Sequence, residues 1–145
     1  SVYLGKHSLE EPVVMLHELD YFNKEGYAFN LIYNVEDNLK NTYVVGIETR
    51  NGENSQTYYI NDKYRKLKGR YILDYDYRDT DVESELKIYG DEELIYTSPV
   101  LTGGVRPIDI EVDISGVKEL KIESSNPTSA ISYTRTYLVN TGLYQ

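Results

Sequence analysis

An antiparallel β-sandwich is the fold class this sequence predicts, and three observations predict it. The first is composition: 16 Tyr stand beside many Val, Ile and Thr, against only two Ala in 145 residues. Aromatic and β-branched side chains favour strands, and Ala is the best helix former. The second is alternation. In Ile108-Asp109-Ile110-Glu111-Val112-Asp113-Ile114, four aliphatic residues point one way and three acids the other. Such a strand has one buried and one wet face. The third is spacing. Nine or ten short strand candidates are separated by turn signals at roughly 8–12-residue intervals, the pattern of a two-sheet sandwich.

Taken in order, residues 1–12 are polar, end Glu10-Glu11-Pro12, and read as a linker or tail. Residues 13–145 read as one folded domain. Strand candidates follow at 13–19 and 27–33, and residues 35–39 read as a single helical turn. The next strands fall at 43–49, 56–60 and 68–75, with Asn51-Gly52 and Asn61-Asp62 as turn signals. Glu85-Leu86-Lys87-Ile88-Tyr89 alternates with period 2, Gly90-Asp91 supplies turn chemistry, and residues 94–98 resume as the second arm of a hairpin. Ser115-Gly116 closes the strand at 108–114. Glu119-Leu120-Lys121-Ile122-Glu123 repeats the alternation, Asn126-Pro127 marks a loop, and the last strand falls at 131–139. The inward positions give the expected core: Leu73, Leu86, Ile88, Ile108, Ile110, Val112, Leu120 and Ile122.

Several function classes are excluded. With no Cys there is no disulfide scaffold, thiolate metal site or cysteine nucleophile. Twenty-four acids against 15 bases give a net charge of -9, which argues against nucleic-acid binding, since phosphate neutralisation needs a basic surface. No apolar run approaches the ~18–20 residues of a membrane-spanning helix, so no membrane insertion is expected. The N-terminal residues show no signal-peptide apolar stretch. No nucleophile elbow, phosphate loop or dinucleotide fingerprint occurs.

Two residue constellations carry chemistry. Asp74, Asp76, Asp79 and Asp81 fall within eight residues and offer oxygen ligands for a structural Ca²⁺, which takes roughly 6–8 of them. The run lacks an EF-hand's turn Gly and closing Glu, and its plainer reading is a solvated acidic loop. Tyr133, Arg135 and Tyr137 alternate, so on a strand they share one face. Tyr combines an apolar ring with a polar tip, and Arg is a planar donor, so together they suit a sugar ring and its hydroxyls. Packing is the competing explanation for the same residues. Tyr21-Phe22 and Tyr27 read as an aromatic loop tip. Of the adjacent Tyr58 and Tyr59, only one can face a core. His7 sits in the tail, and His17, near Glu18 and Asp20, has no metal-ligand spacing.

The run from Asn61 to Glu123 resembles a known family. Tyr64-Arg65-Lys66-Leu67-Lys68-Gly69, then Lys87-Ile88-Tyr89-Gly90-Asp91 through Ser98-Pro99, then Leu101-Thr102-Gly103-Gly104 and Val112-Asp113-Ile114-Ser115-Gly116-Val117-Lys118-Glu119-Leu120 follow its motifs in order. That family is the NPCBM domain, which includes the family 51 carbohydrate-binding modules. The resemblance covers roughly residues 13–144. It implies a jelly-roll, galactose-binding-like sandwich attached to secreted or surface proteins of Gram-positive bacteria. It also brings Arg50 near the last strand. Gly46-Ile47-Glu48-Thr49-Arg50 carries Arg50 where the family motif has His, and Arg135 and Leu138 stand near its C-terminal His and Trp.

The implied function is therefore a non-catalytic, extracellular or cell-surface module that binds a glycan, galactose-containing by family habit, beside other domains of a larger chain. Arg50, Tyr133, Arg135 and Tyr137 are its candidate ligand contacts. The alternative is a sandwich that serves as a spacer or protein-interaction module and has lost the sugar site. No cofactor other than Ca²⁺ is expected.

Overall fold

Eleven strands and two short 3₁₀ turns make up the described part of the chain, a computed structural model covering residues 10–50, 53–127 and 133–145. The strands are β1 (Val14–Met15), β2 (Asn23–Glu25), β3 (Leu31–Glu36), β4 (Thr42–Glu48), β5 (Asn54–Tyr59), β6 (Lys66–Leu73), β7 (Glu85–Gly90), β8 (Glu93–Thr97), β9 (Ile108–Asp113), β10 (Glu119–Ser125) and β11 (Thr136–Tyr144). One sheet runs β3-β4-β11-β6-β9, with β1 added against the far end of β11; the other runs β2-β5-β10-β7-β8. Every pairing is antiparallel. The result is the expected antiparallel sandwich of jelly-roll type.

The alternating strands fill the space between the sheets as the sequence reading requires. Leu73, Leu86, Ile88, Ile110, Val112, Leu120 and Ile122 are all buried there, with Ile108 half-buried at the margin. Tyr58 is in the core at 2% exposure while its neighbour Tyr59 is 60% exposed, as period-2 geometry demands. A second, smaller cluster joins Val35, Ile72, Tyr137 and Val139. It lies on the other face of the six-stranded sheet, because the residues flanking Ile72 and the one between Tyr137 and Val139 belong to the main core. Gly46 is required there: a Cβ at this position would stand 3.2 Å from Tyr137 Cβ and from a Val35 methyl.

Several local expectations change. The strand expected at 13–19 is only Val14–Met15, followed by a 3₁₀ turn at Leu16–Glu18. Residues 35–39 form no helix; β3 runs through Glu36 and a tight turn follows. The turn is organised by buried Asp37, whose carboxylate accepts from the Asn41 and Leu39 N–H groups and from the Tyr43 hydroxyl at 2.7 Å. Burial pushes that carboxyl up, but these hydrogen bonds and one from the Asn41 side chain outweigh it and hold it below its usual value. Asn23–Glu25, expected as a loop tip, is instead the edge strand β2 on β5. The hairpin β7–β8 turns through Asp91 and Glu92, both at positive φ (+50° and +71°), rather than through Gly90. Asp91 tolerates that conformation and its carboxylate accepts from the Lys118 and Glu119 N–H groups. The last strand begins at Thr136, later than expected; Asn51-Gly52 and Ile131 fall outside the described residues.

Candidate functional site

The end of β4 and the start of β11 are fastened together. The Thr49 N–H donates to the Thr136 carbonyl at 2.9 Å, and the two threonine hydroxyls are hydrogen-bonded at 2.7 Å, fully buried. This clamp brings Arg50 and Arg135, distant in sequence, to the same carboxylate. Arg50 Nε lies 3.3 Å from Glu48 Oε1 and Arg135 Nε 3.9 Å from Glu48 Oε2. Glu48 is 5% exposed, whereas the two arginine side chains are 35% and 38% exposed. Arg50 takes a left-handed backbone conformation, φ +53°, which costs an L-residue roughly 1–2 kcal/mol.

Tyr133 is the exposed ring of the group, at 43%. The Arg50 guanidinium stands 5.6 Å from its ring centroid and that of Arg135 5.9 Å. Arg135 Nε also donates to the Tyr133 hydroxyl at 3.3 Å, which raises the Arg135 pKa beyond its already high value. Tyr77 packs edge-to-face on Tyr133, 5.6 Å between centroids at 76°, and lies 5.6 Å from the Arg135 guanidinium. Sequence reasoning missed Tyr77. It stands in the 3₁₀ turn Tyr75–Tyr77, and no local pattern announces that this turn meets residue 133.

Tyr137 occupies a different level from its companions. It pairs with Glu48 across the sheet and so shares their side, but at 2% exposure it lies underneath. Its hydroxyl donates to Asp74 Oδ2 at 2.7 Å. Burial first, and then that carboxylate, push its phenol pKa above the ordinary value. Tyr137 is therefore covered, whereas Tyr133, Arg50 and Arg135 remain partly exposed.

The acidic run is dispersed. Asp74 is buried, and both of its oxygens are engaged: Oδ1 caps the turn by accepting the Asp76 N–H at 2.8 Å, and Oδ2 takes Tyr137. Asp76, Asp79 and Asp81 are exposed. Among the described residues no three His, Asp or Glu side chains gather as a metal ligand set would.

A second region was not anticipated as a unit. A concavity of about 330 Å³ opens between Leu16, His17, Leu19, Asp20 and Tyr21 on one side and Phe29, Leu31, Ile47, Gln56 and Tyr58 on the other. Its floor is core: Leu16, Phe29, Ile47 and Tyr58 are all at most 4% exposed. The Tyr58 hydroxyl donates to Gln56 Oε1 at 2.5 Å. Half-exposed Tyr21 stands at its rim.

Comparison with known proteins gives the context. The model of the NPCBM/NEW2 domain matches residues 34–143. No curated protein sequence matches the chain. Among solved structures, the second CBM51 of Clostridium perfringens ZmpB, solved with GlcNAc and INT domains, superposes with a TM-score of 0.76 at 14% identity. It matches over 91% of this chain and 31% of its own. The CBM51 from C. perfringens GH95, solved with methyl-galactose, gives a TM-score of 0.73 at 19% identity, over 90% of this chain and 98% of its own. Tandem CBM51 modules of a family 98 glycoside hydrolase from Streptococcus pneumoniae give 0.72 at 11% identity, over 90% and 46%. This chain thus spans about a third of the ZmpB chain, and at such identities the likeness is one of fold.

Proposed function

This chain belongs to the NPCBM/NEW2 domain family, and from that premise we propose that it is a non-catalytic module of a secreted or surface protein that holds a glycan. The proposed contact surface is Tyr133 with its edge partner Tyr77, flanked by the guanidiniums of Arg50 and Arg135. One observation carries the reading: a half-exposed ring has a second tyrosine on its edge and two guanidiniums, both ion-paired with Glu48, 5.6 and 5.9 Å from its centroid. An aromatic face takes the C–H groups of a pyranose, and fixed planar donors take its oxygens, with little ordering left to be done on binding. Recognition is shallow and breaks no bond. Neighbouring domains supply any catalysis. Solved CBM51 relatives hold GlcNAc and methyl-galactose, which makes galactosides and N-acetylated sugars the first ligands to try.

Glycan-array screening followed by calorimetric titration of the hits tests this. Binding to at least one glycan is expected, with Tyr133→Ala weakening it by about fivefold or more, the equivalent of ~1 kcal/mol for a lost aromatic contact. Binding that survives Tyr133→Ala and Arg135→Ala together would refute the assigned surface.

A second reading has its own support. Both arginines already share Glu48, as expected if the cluster merely closes the end of a spacer or protein-interaction sandwich. A chain that binds no glycan on the array, yet binds an adjacent domain of its parent protein, would establish that reading in place of the first.

A further inference from the structure

We infer that the Arg50–Tyr133–Arg135 surface selects an acidic sugar, one bearing a carboxylate or sulfate, over a neutral one. The inference rests on the carbohydrate reading above and narrows its ligand class.

The donors and acceptors of the cluster decide the ligand class. A neutral pyranose presents hydroxyls that both donate and accept, so a site for it needs acceptors as well as donors. Among the described residues of the cluster, the exposed side-chain groups are two guanidiniums, which only donate, and the Tyr133 hydroxyl, which donates and accepts. Arg50 Nε is ion-paired with Glu48 at 3.3 Å without a hydrogen bond, Arg135 Nε donates to the Tyr133 hydroxyl with Glu48 3.9 Å away, and the terminal Nη atoms of both make no hydrogen bond among the described residues. Guanidinium groups have no acceptor atom. The carboxylate within reach, Glu48, is buried and divided between the two cations. Among the described residues neither arginine is paired with any other acid, although Asp76 lies exposed on the turn that carries Tyr77. Both nearby carboxylates, Glu48 and the Asp74 that Tyr137 engages, are buried, so the charged groups exposed beside the Tyr133 ring among the described residues are the two guanidiniums. A donor-rich patch with exposed cations is the complement of an acceptor-only group. Carboxylates and sulfates are such groups, and the fork of an arginine matches their paired oxygens. The acidic background of the chain, -9 overall, makes this local reversal of sign specific to the cluster.

The test is calorimetric titration of the whole chain with sialyllactose, with a sulfated lactose, and with lactose itself. We expect sialyllactose, the sulfated sugar or both to bind at least ~10-fold more tightly than lactose, and the two arms identify which acid is preferred. Arg135→Gln and Arg50→Gln should each reduce the preference toward that of lactose, and Arg135→Lys should keep only part of it, because the point charge survives and the fork does not. Thermal unfolding of each variant checks that it folds, and Arg135→Lys remains informative if a Gln variant does not. Lactose binding as tight as the acidic sugars, or an acidic preference untouched by both Gln variants, overturns this inference and leaves the carbohydrate reading standing. Absence of binding to all three overturns the choice of an acidic ligand, and a blank glycan array would remove the carbohydrate reading with it.

Discussion

The concavity beside His17 and the arginine–tyrosine cluster beside Thr49 sit on the same sandwich but are built from different material. The concavity is lined by the core itself: Leu16, Phe29, Ile47 and Tyr58 are buried residues whose other sides fill the space between the sheets. The cluster is laid on top of the fold. Its contact groups, Tyr133, Arg50 and Arg135, are each more than a third exposed, and what fixes them is a buried layer of Glu48, Thr49, Thr136 and Tyr137. A hollow of suitable size is therefore weaker evidence of function than a less concave group of exposed, immobilised side chains. The hollow's floor is accounted for by folding alone, although Tyr21 and Leu31 at its margin are exposed.

That contrast is open to test by substitution. Tyr58→Ala empties the floor of the concavity, and by the behaviour of large aromatic truncations it should cost about 3–5 kcal/mol of stability, read as a lower urea midpoint. A cost below about 1 kcal/mol would show that the concavity is not core, and would reopen it as a built ligand site. Glu48→Ala attacks the layer beneath the cluster. It leaves two guanidiniums without a counter-charge, and it should cost about 1–2 kcal/mol. That is less than for a fully buried pair, because both arginines remain in contact with water. A neutral result would mean the pairing is incidental and would weaken the claim that the cluster is held rigid. Tyr133→Ala should move stability least, within about 0.5 kcal/mol, as for other surface substitutions. A loss as large as that of Tyr58→Ala would place Tyr133 in the structural framework and erase the distinction between the two regions.

The sheets were legible in the sequence because their signals are local. Ile110, Val112 and Ile114 alternate with acids, and burial followed the alternation without exception. The short edge strand β2 was not legible: Asn23-Lys24-Glu25 has no apolar residue to mark a buried face, and only pairing with β5 makes it a strand. Alternation along a strand would put Tyr133, Arg135 and Tyr137 on one face, but β11 begins at Thr136, so of the three only Tyr137 lies on it. Nor could alternation say that Tyr137 lies under the surface. Depth depends on the cluster formed with Val35 and Ile72, which are remote in sequence. The aspartate run had the composition of a cation loop, but the folded chain spends Asp74 on a turn cap and on Tyr137.

By itself, then, the sequence determined the all-β class, the faces of the regular strands and the core they fill, because a period of two residues is a property of neighbours along the chain. Its motifs also indicated the NPCBM family, which the family comparison shows. Only the tertiary structure decided that Arg50 and Arg135 meet over Glu48, that Tyr77 backs Tyr133, and that Tyr137 is buried against Asp74. Those relations join positions 56 to 87 residues apart along the chain. They exist because β4, β6 and β11 lie side by side in one sheet, and no local pattern of residues specifies that adjacency.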